Sequence, residues 1–299
     1  MNRTVRQESP RQARIRPLHR RRDGPGLRHL AGHIGFIAAS GLAVTLARDS
    51  LWLLPALFVH GTLLVFLFAP LHETIHRTAF RSRWLNEAVA HAAGFVLILP
   101  PRYFRAFHFA HHRFTQDAAR DPEAPGPVLP SRAAYLWRLT GVPYWISAVS
   151  VLAGHAIGRV PEAFVTDRAR PGIVSEARIY LVLYAAVLLV PGVAGTAWLY
   201  WLAPVLLGQP MLRLFLMAEH GGLPLVPEML VNSRSIDSNA AIRALGWNMS
   251  YHAEHHGWPG VPWHSLPALR HEVEDNLQNR TSGYIAVHRD LWRKAGRPV

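Results

Sequence analysis

The chain has 299 residues, of which half are hydrophobic and only 17% are charged, and its formal net charge is +13. It contains no cysteine, which excludes disulfides, thiolate iron–sulfur centres and cysteine-ligated zinc. The positive charge is nearly all arginine and lies in tails and loops around apolar segments. This pattern indicates contact with anionic lipid headgroups and argues against a nucleic-acid partner.

The apolar segments predict four transmembrane helices. Residues 1–29 hold nine Arg and predict a mobile basic arm. The segments that follow approach the ~20 residues that span a bilayer as helix. The short turns between them predict two hairpins, formed by the spans 30–47, 51–71, 179–192 and 196–217.

Two further segments are too short or too interrupted to span, so residues 88–101 and 135–157 are predicted to be interfacial. Residues 222–299 are polar and are predicted to form a cap. The sequence thus predicts an all-α integral membrane domain over residues 30–299. Four spans place both chain ends on one side, which the Arg-rich arm makes cytoplasmic by the positive-inside bias. A histidine-rich cytoplasmic cap follows from this topology.

Four histidine clusters, HETIH, HFAHH, AEHGG and HAEHH, follow apolar segments or lie in the cap. Histidines three or four residues apart share one face of a helix. Neutral imidazole is a good ligand for iron, zinc, copper or nickel. Nine imidazoles exceed what one ion can use and predict two metal ions. The candidate ligands are His72, His76, His108, His111, His112, His220, His252, His255 and His256.

HETIH by itself permits an alternative interpretation. H-E-x-x-H on a helix is also the zinc metalloprotease signature, in which Glu73 would be the general base. An intramembrane zinc protease needs about three protein ligands and leaves seven clustered histidines unexplained. Glu73 is therefore interpreted as a group that orients an imidazole. A metal transporter or receptor is a further alternative, although the clusters lie beyond the apolar ends.

The segments HETIHRTAF, HFAHHRFTQDAARDPE, AEHGGL and NMSYHAEHH resemble the histidine boxes of the membrane fatty-acid desaturase and alkane hydroxylase superfamily. The resemblance covers about residues 30–270 in order, spacing and position relative to the apolar segments. Within it, the chain is similar to the bacterial subgroup that includes the rhizopine-catabolism desaturase-like protein and the dihydrorhizobitoxine desaturase. The resemblance implies a multi-pass protein of the bacterial inner membrane with its active site facing the cytoplasm.

The resemblance also implies two non-haem irons held by the nine histidines, with O₂ as co-substrate. It places Asn248 where it binds water or orients a ligand, and Asp121, Glu219 and Glu254 beside the ligands. The implied reaction is desaturation or hydroxylation of an unactivated C–H position in a fatty-acyl, alkyl or lipid-like substrate. HETIH has three residues between its histidines, as in hydroxylases, whereas many acyl desaturases have four.

The sequence contains no recognisable source of electrons. It has no cysteine for a ferredoxin or rubredoxin module, and Gly24-Pro25-Gly26 does not form a dinucleotide-binding G-x-G-x-x-G motif. We therefore expect a separate ferredoxin, Rieske-type or rubredoxin carrier, with its NAD(P)H reductase, to dock on the basic cytoplasmic surface.

Overall fold

The computed structural model describes residues 10–123 and 129–297. This part of the chain is mostly helical, as predicted. Its α-helices are α1 (Pro10–Ile15), α2 (Asp23–Leu46), α3 (Leu53–Val65), α4 (Phe68–His76), α5 (Arg83–Val96), α6 (Pro101–Phe114), α7 (Arg132–Leu139), α8 (Val142–Ala156), α9 (Arg170–Leu189), α10 (Pro191–Ala197), α11 (Ala203–His220), α12 (Met229–Asn232), α13 (Ala240–Leu245), α14 (His252–Gly257), α15 (Leu266–Val273) and α16 (Tyr284–Lys294).

The sequence analysis did not predict a two-stranded parallel sheet, which the structure contains. Strands β1 (Ser235–Asp237) and β2 (Arg280–Ser282) pair with Ile236 opposite Thr281. Ser235 also forms an antiparallel bridge with Tyr251, the residue before α14. The sheet therefore fixes the start of the helix that carries HAEHH.

Within residues 10–123 and 129–297, four helices are long and apolar enough to cross a membrane, which agrees with the predicted number of spans. They are Asp23–Leu46, Leu53–His76, Arg170–Leu189 and Pro191–His220. Each extends beyond the apolar segment seen in the sequence, because the helix continues into polar residues at one or both ends. Their outer faces carry exposed apolar side chains such as Leu46 and Leu189, 78% and 79% exposed. Such surfaces are stable against lipid and not against water.

The second and fourth candidate spans cross closely. Helix α3 makes its most extensive helix contact with α11. A Cβ on Gly61 would overlap the backbone carbonyl of Pro204, and one on Gly208 would overlap the backbone of Gly61. Glycine at these two positions allows the helix axes to approach. The predicted arrangement as two hairpins stays a prediction.

The structure differs from the predicted mobile arm over residues 10–22. These residues form α1 and a 3₁₀ turn at Arg16–His19. Ile15 is buried in the main core, and Arg14 Nε lies 2.6 Å from Glu272 Oε2. Ile15, with the partly buried Leu18 packed against the same core, anchors the segment despite its charge. Residues 1–9 of the arm lie outside the described residues.

The two segments predicted to be interfacial are also largely helical. Residues 88–101 cover the second half of α5 and the turn into α6, and residues 135–157 are divided into α7 and α8. The division falls at Gly141, whose φ of 74° is accessible to glycine at little cost. Their depth in the bilayer and the cytoplasmic location of the cap stay predictions.

Candidate metal centre

All nine predicted histidines come together at one end of the helices, in two groups. The five-histidine group and the four-histidine group each have ligand nitrogens within 4.8 Å of one another. The five-histidine group is His72, His76, His108, His112 and His255. The four-histidine group is His111, His220, His252 and His256.

Each H-x-x-H-H helix contributes to both groups in a reciprocal way. Helix α6 gives its i, i+4 pair, His108 and His112, to the five-histidine group and His111 to the four-histidine group. Helix α14 gives its i, i+4 pair to the four-histidine group and His255 to the five-histidine group. Adjacent residues on a helix point about 100° apart, so neighbouring rings reach different groups. The two helices therefore lie across two neighbouring binding positions.

The donor atoms fit metal ions and not a hydrogen-bonded core. Ring nitrogens face each other at short range: Nε2 of His112 lies 2.9 Å from Nε2 of His108, and Nε2 of His252 lies 2.9 Å from Nε2 of His220. Among the described residues, Nε2 of His72, His76 and His256 is buried with no hydrogen-bond partner. Buried polar atoms without partners are costly, and a bound cation would remove that cost.

The surroundings keep most of these rings neutral, which is the form that ligates. Burial, reinforced by the neighbouring imidazoles, holds the pKa of five rings well below its ordinary value; they are His108, His112, His252, His255 and His256. Burial also acts to lower the pKa of His111, but the Glu123 and Asp121 carboxylates outweigh it and raise that pKa. His111 is thus the ring of the four-histidine group that holds a proton most strongly.

Hydrogen bonds to the Nδ1 atoms fix the ring orientations in the four-histidine group. His111 Nδ1 lies 2.9 Å from Asp121 Oδ1, and His220 Nδ1 lies 3.0 Å from the Asn232 carbonyl. Thr115 Oγ1 lies 3.2 Å from His256 Nδ1. A ring that donates from Nδ1 leaves the Nε2 lone pair free for a metal. Asp121, one of the predicted orienting residues, therefore contacts a ring of this group, and its role toward a metal stays a prediction.

The other predicted orienting residues have different contacts. Glu219 Oε1 lies 3.4 Å from His252 Nδ1. Glu73 is buried next to His72, but its Oε2 accepts hydrogen bonds from Thr78 Oγ1 and from the Trp263 backbone N–H.

Asn248 and Glu254, the remaining predicted residues, form hydrogen bonds with residues outside the two histidine groups. Asn248 donates from Nδ2 to the Trp263 carbonyl at 3.1 Å, and its φ is 59°. Glu254 accepts a hydrogen bond from Ser235 Oγ at 2.7 Å. Their observed partners therefore brace the backbone around α14, and any contact with a metal-bound water stays a prediction.

Sequence reasoning missed Glu123, Asn232 and Thr115. Glu123 Oε2 lies 3.7 Å from His111 Nε2, so it approaches the ring nitrogen that points into the group. Its position two residues after Asp121 in the DPE segment was the available signal. Asn232 acts through its backbone carbonyl and Thr115 through its side-chain hydroxyl, and neither was identified from a local pattern.

An apolar cavity of about 140 Å³ lies between α4, α6, α8 and α11. Two of its walls touch the histidines: Phe104 packs on His108 with ring centroids 5.5 Å apart, and Phe68 packs near His72 at 6.2 Å. Glu123 also lines it. The cavity therefore adjoins both histidine groups.

Comparison with known proteins agrees with this geometry. The profile of the family described as fatty acid desaturase matches residues 50–288. A stretch of 69 residues is 39% identical to an sn-1 oleoyl-lipid 12-desaturase from Picosynechococcus, over 23% of this chain and 20% of that protein. Sphingolipid delta(4)-desaturases from Candida albicans and Komagataella phaffii are each 25% identical over 72% of this chain. The matches span 61% and 60% of those two relatives.

The family profile covers most of the chain and includes all nine clustered histidines. The subgroup named in the sequence analysis stays a prediction. The chain belongs to the fatty acid desaturase family.

Proposed function

We propose that this protein is a non-haem diiron enzyme that uses O₂ and externally supplied electrons to desaturate or hydroxylate an unactivated C–H position. The proposed substrate class is a fatty-acyl, alkyl or lipid-like molecule. The observation that supports it most directly is the division of nine buried histidines into two adjoining groups. One ion cannot use both groups, and imidazole suits iron.

The chain's own residues prepare the site in three ways. Asp121, Thr115 and the Asn232 carbonyl orient rings so that Nε2 faces inward. Burial keeps most of the rings neutral and excludes water. The aromatic walls of the adjoining cavity place an apolar chain beside the histidines. Two irons held there would supply the O₂ activation that cleavage of an unactivated C–H bond requires.

The zinc protease interpretation is not favoured. It requires Glu73 to accept a proton from water, but that carboxylate is fully buried, its Oε2 accepts hydrogen bonds from Thr78 and Trp263, and its Oε1 lies 3.8 Å from His72 Nδ1. HETIH also lies in a group of five histidines, where a catalytic zinc would use about three protein ligands and an open position.

The electrons are proposed to come from a separate ferredoxin, Rieske-type or rubredoxin carrier with an NAD(P)H reductase. The sequence offers no cysteine cluster and no dinucleotide-binding motif. The arginine-rich surface would attract an acidic carrier, and this attraction weakens with salt. We further propose a bacterial inner-membrane location with the histidine groups on the cytoplasmic side.

Metal analysis and product analysis together test this proposal. Purified protein should hold close to two irons per chain and little zinc. A substrate deuterated at adjacent carbons should then be turned over with O₂, carrier and reductase. Loss of one deuterium with gain of one oxygen from O₂ identifies hydroxylation, and loss of one from each carbon without oxygen identifies desaturation. One zinc per chain, or no O₂-dependent product, would contradict the proposal.

A further inference from the structure

Arg213 places a positive charge in the apolar cavity beside the histidines. It lies on α11, inside the candidate membrane span Pro191–His220. Among the described residues that line the cavity, it is the one Arg or Lys. An ionisable residue at this position in a membrane helix is costly, and such residues usually face a cavity with a function. The cavity is therefore lined mainly by apolar side chains, together with one guanidinium group.

The described chain leaves one hydrogen-bond donor of this group without a partner, and no described carboxylate forms an ion pair with it. Arg213 Nε is buried and has no hydrogen-bond partner among the described residues. Its guanidinium carbon lies 4.8 Å from the ring centroid of Tyr144, a contact that orients the group without neutralising it. Glu123, the carboxylate of the lining, lies 3.7 Å from His111 Nε2 and thus next to the four-histidine group. An anionic ligand would accept hydrogen bonds from this guanidinium and balance its charge.

The dimensions favour a short ligand. The cavity volume is about 140 Å³, and an apolar cavity of about 150 Å³ is known to hold benzene, so it suits about six carbon atoms. Arg213 precedes His220 by seven residues on one helix, which corresponds to a rise of roughly 10 Å. A ligand anchored at Arg213 would therefore reach the histidines with a short chain.

We propose that the cavity binds a compact carboxylic acid as its free anion, with the carboxylate on Arg213 and the alkyl part directed at the histidine groups. A guanidinium matches a carboxylate with two parallel hydrogen bonds. An ester- or amide-linked acyl chain has no charge at this point and would leave Arg213 unpaired. The inference specifies the substrate class of the proposed function, but binding itself needs no turnover.

Calorimetric titration of the purified full-length chain tests this, with hexanoate and uncharged 1-hexanol as probes. The wild type should bind hexanoate more tightly than hexanol. Arg213→Met should weaken hexanoate binding about 10- to 100-fold, the usual effect of losing a charge-assisted hydrogen bond. Hexanol binding should be retained in this variant, which also shows that the cavity is folded. Arg178→Gln is the control, since Arg178 is a cation of another candidate span, Arg170–Leu189, that donates to the Ala156 carbonyl and does not line the cavity.

Three results would overturn the inference. They are equal wild-type affinity for hexanoate and hexanol, an unchanged preference for hexanoate in Arg213→Met, and displacement of hexanoate by lower concentrations of palmitate. Iron content measured on the same samples separates the two proposals. Charge-dependent hexanoate binding by a protein that cannot load two irons would contradict the diiron function and leave the carboxylate site standing.

Discussion

Asp121→Asn should weaken metal binding in the four-histidine group alone. Asp121 Oδ1 accepts from His111 Nδ1 at 2.9 Å and from the Glu123 N–H at 2.9 Å, while Oδ2 accepts from the Gln116 N–H at 2.7 Å. All three partners of this buried carboxylate donate. An asparagine that keeps its oxygen on His111 and Glu123 turns its NH₂ group against the Gln116 N–H, and the opposite orientation turns the NH₂ group against both His111 and Glu123.

The size of the effect follows from the bonds lost. A hydrogen bond to a charged group contributes about 1.5–3 kcal/mol. In either orientation the acceptor of the His111 hydrogen bond loses its negative charge, which weakens the contact that holds this ring, and substitution of groups that orient metal ligands typically costs about 10- to 100-fold in metal affinity. The five-histidine group has no member hydrogen-bonded to Asp121 among the described contacts, so its affinity should stay close to that of the wild type.

The assay is reconstitution of the metal-free protein with ferrous iron, followed by dialysis against a series of chelator concentrations. At intermediate chelator, Asp121→Asn should retain about one iron while the wild type retains two. Asp117→Asn is the matched control, because Asp117 lies in the same loop but pairs with the exposed Arg120. Equal iron retention by Asp121→Asn and the wild type, or equal loss from Asp117→Asn, would refute the reasoning.

Three further outcomes are expected. His255→Ala and His256→Ala change adjacent residues that belong to different groups. Each variant should therefore lose one iron, from a different group. The difference spectra of the two variants, each taken against the wild type, should not superimpose. As pH falls, the four-histidine group should release its ion first, because the raised pKa of His111 lets a proton compete with metal at higher pH than at the rings whose pKa is lowered; simultaneous release would contradict this. Gly61→Ala should destabilise the fold by about 1–3 kcal/mol, measured as a lower apparent Tm, whereas Gly32→Ala, where a Cβ meets no atom within 4 Å, should not.

The sequence was sufficient for the number of candidate spans and for the set of histidines that converge in the described structure, because hydropathy and histidine spacing are local signals. It was insufficient for partners that come from distant segments. Asn232 reaches His220 through its backbone carbonyl, which every residue type possesses. The docking of residues 10–22 depends on where Ile15 inserts, and the arginines around it predicted the opposite. Cavity formation by four separate helices has no sequence signature at all.

The spacing within H-x-x-H-H says more about how the histidines divide into two groups than the statement that they share one face of a helix. In H-x-x-H-H, the first and last rings are four residues apart and differ by about 40° around the helix, whereas the middle and last rings differ by about 100°. One small ion cannot receive nitrogens that diverge so far from adjacent residues. Such a triplet therefore favours two ions on either side of the helix face, and two triplets that face each other give each ion one pair and one single ring. The triplets do not supply the fourth and fifth rings of the five-histidine group or the fourth ring of the four-histidine group; these come from the two histidines of HETIH and the one of AEHGG. That inequality, with Glu123 beside the smaller group, comes from the tertiary fold.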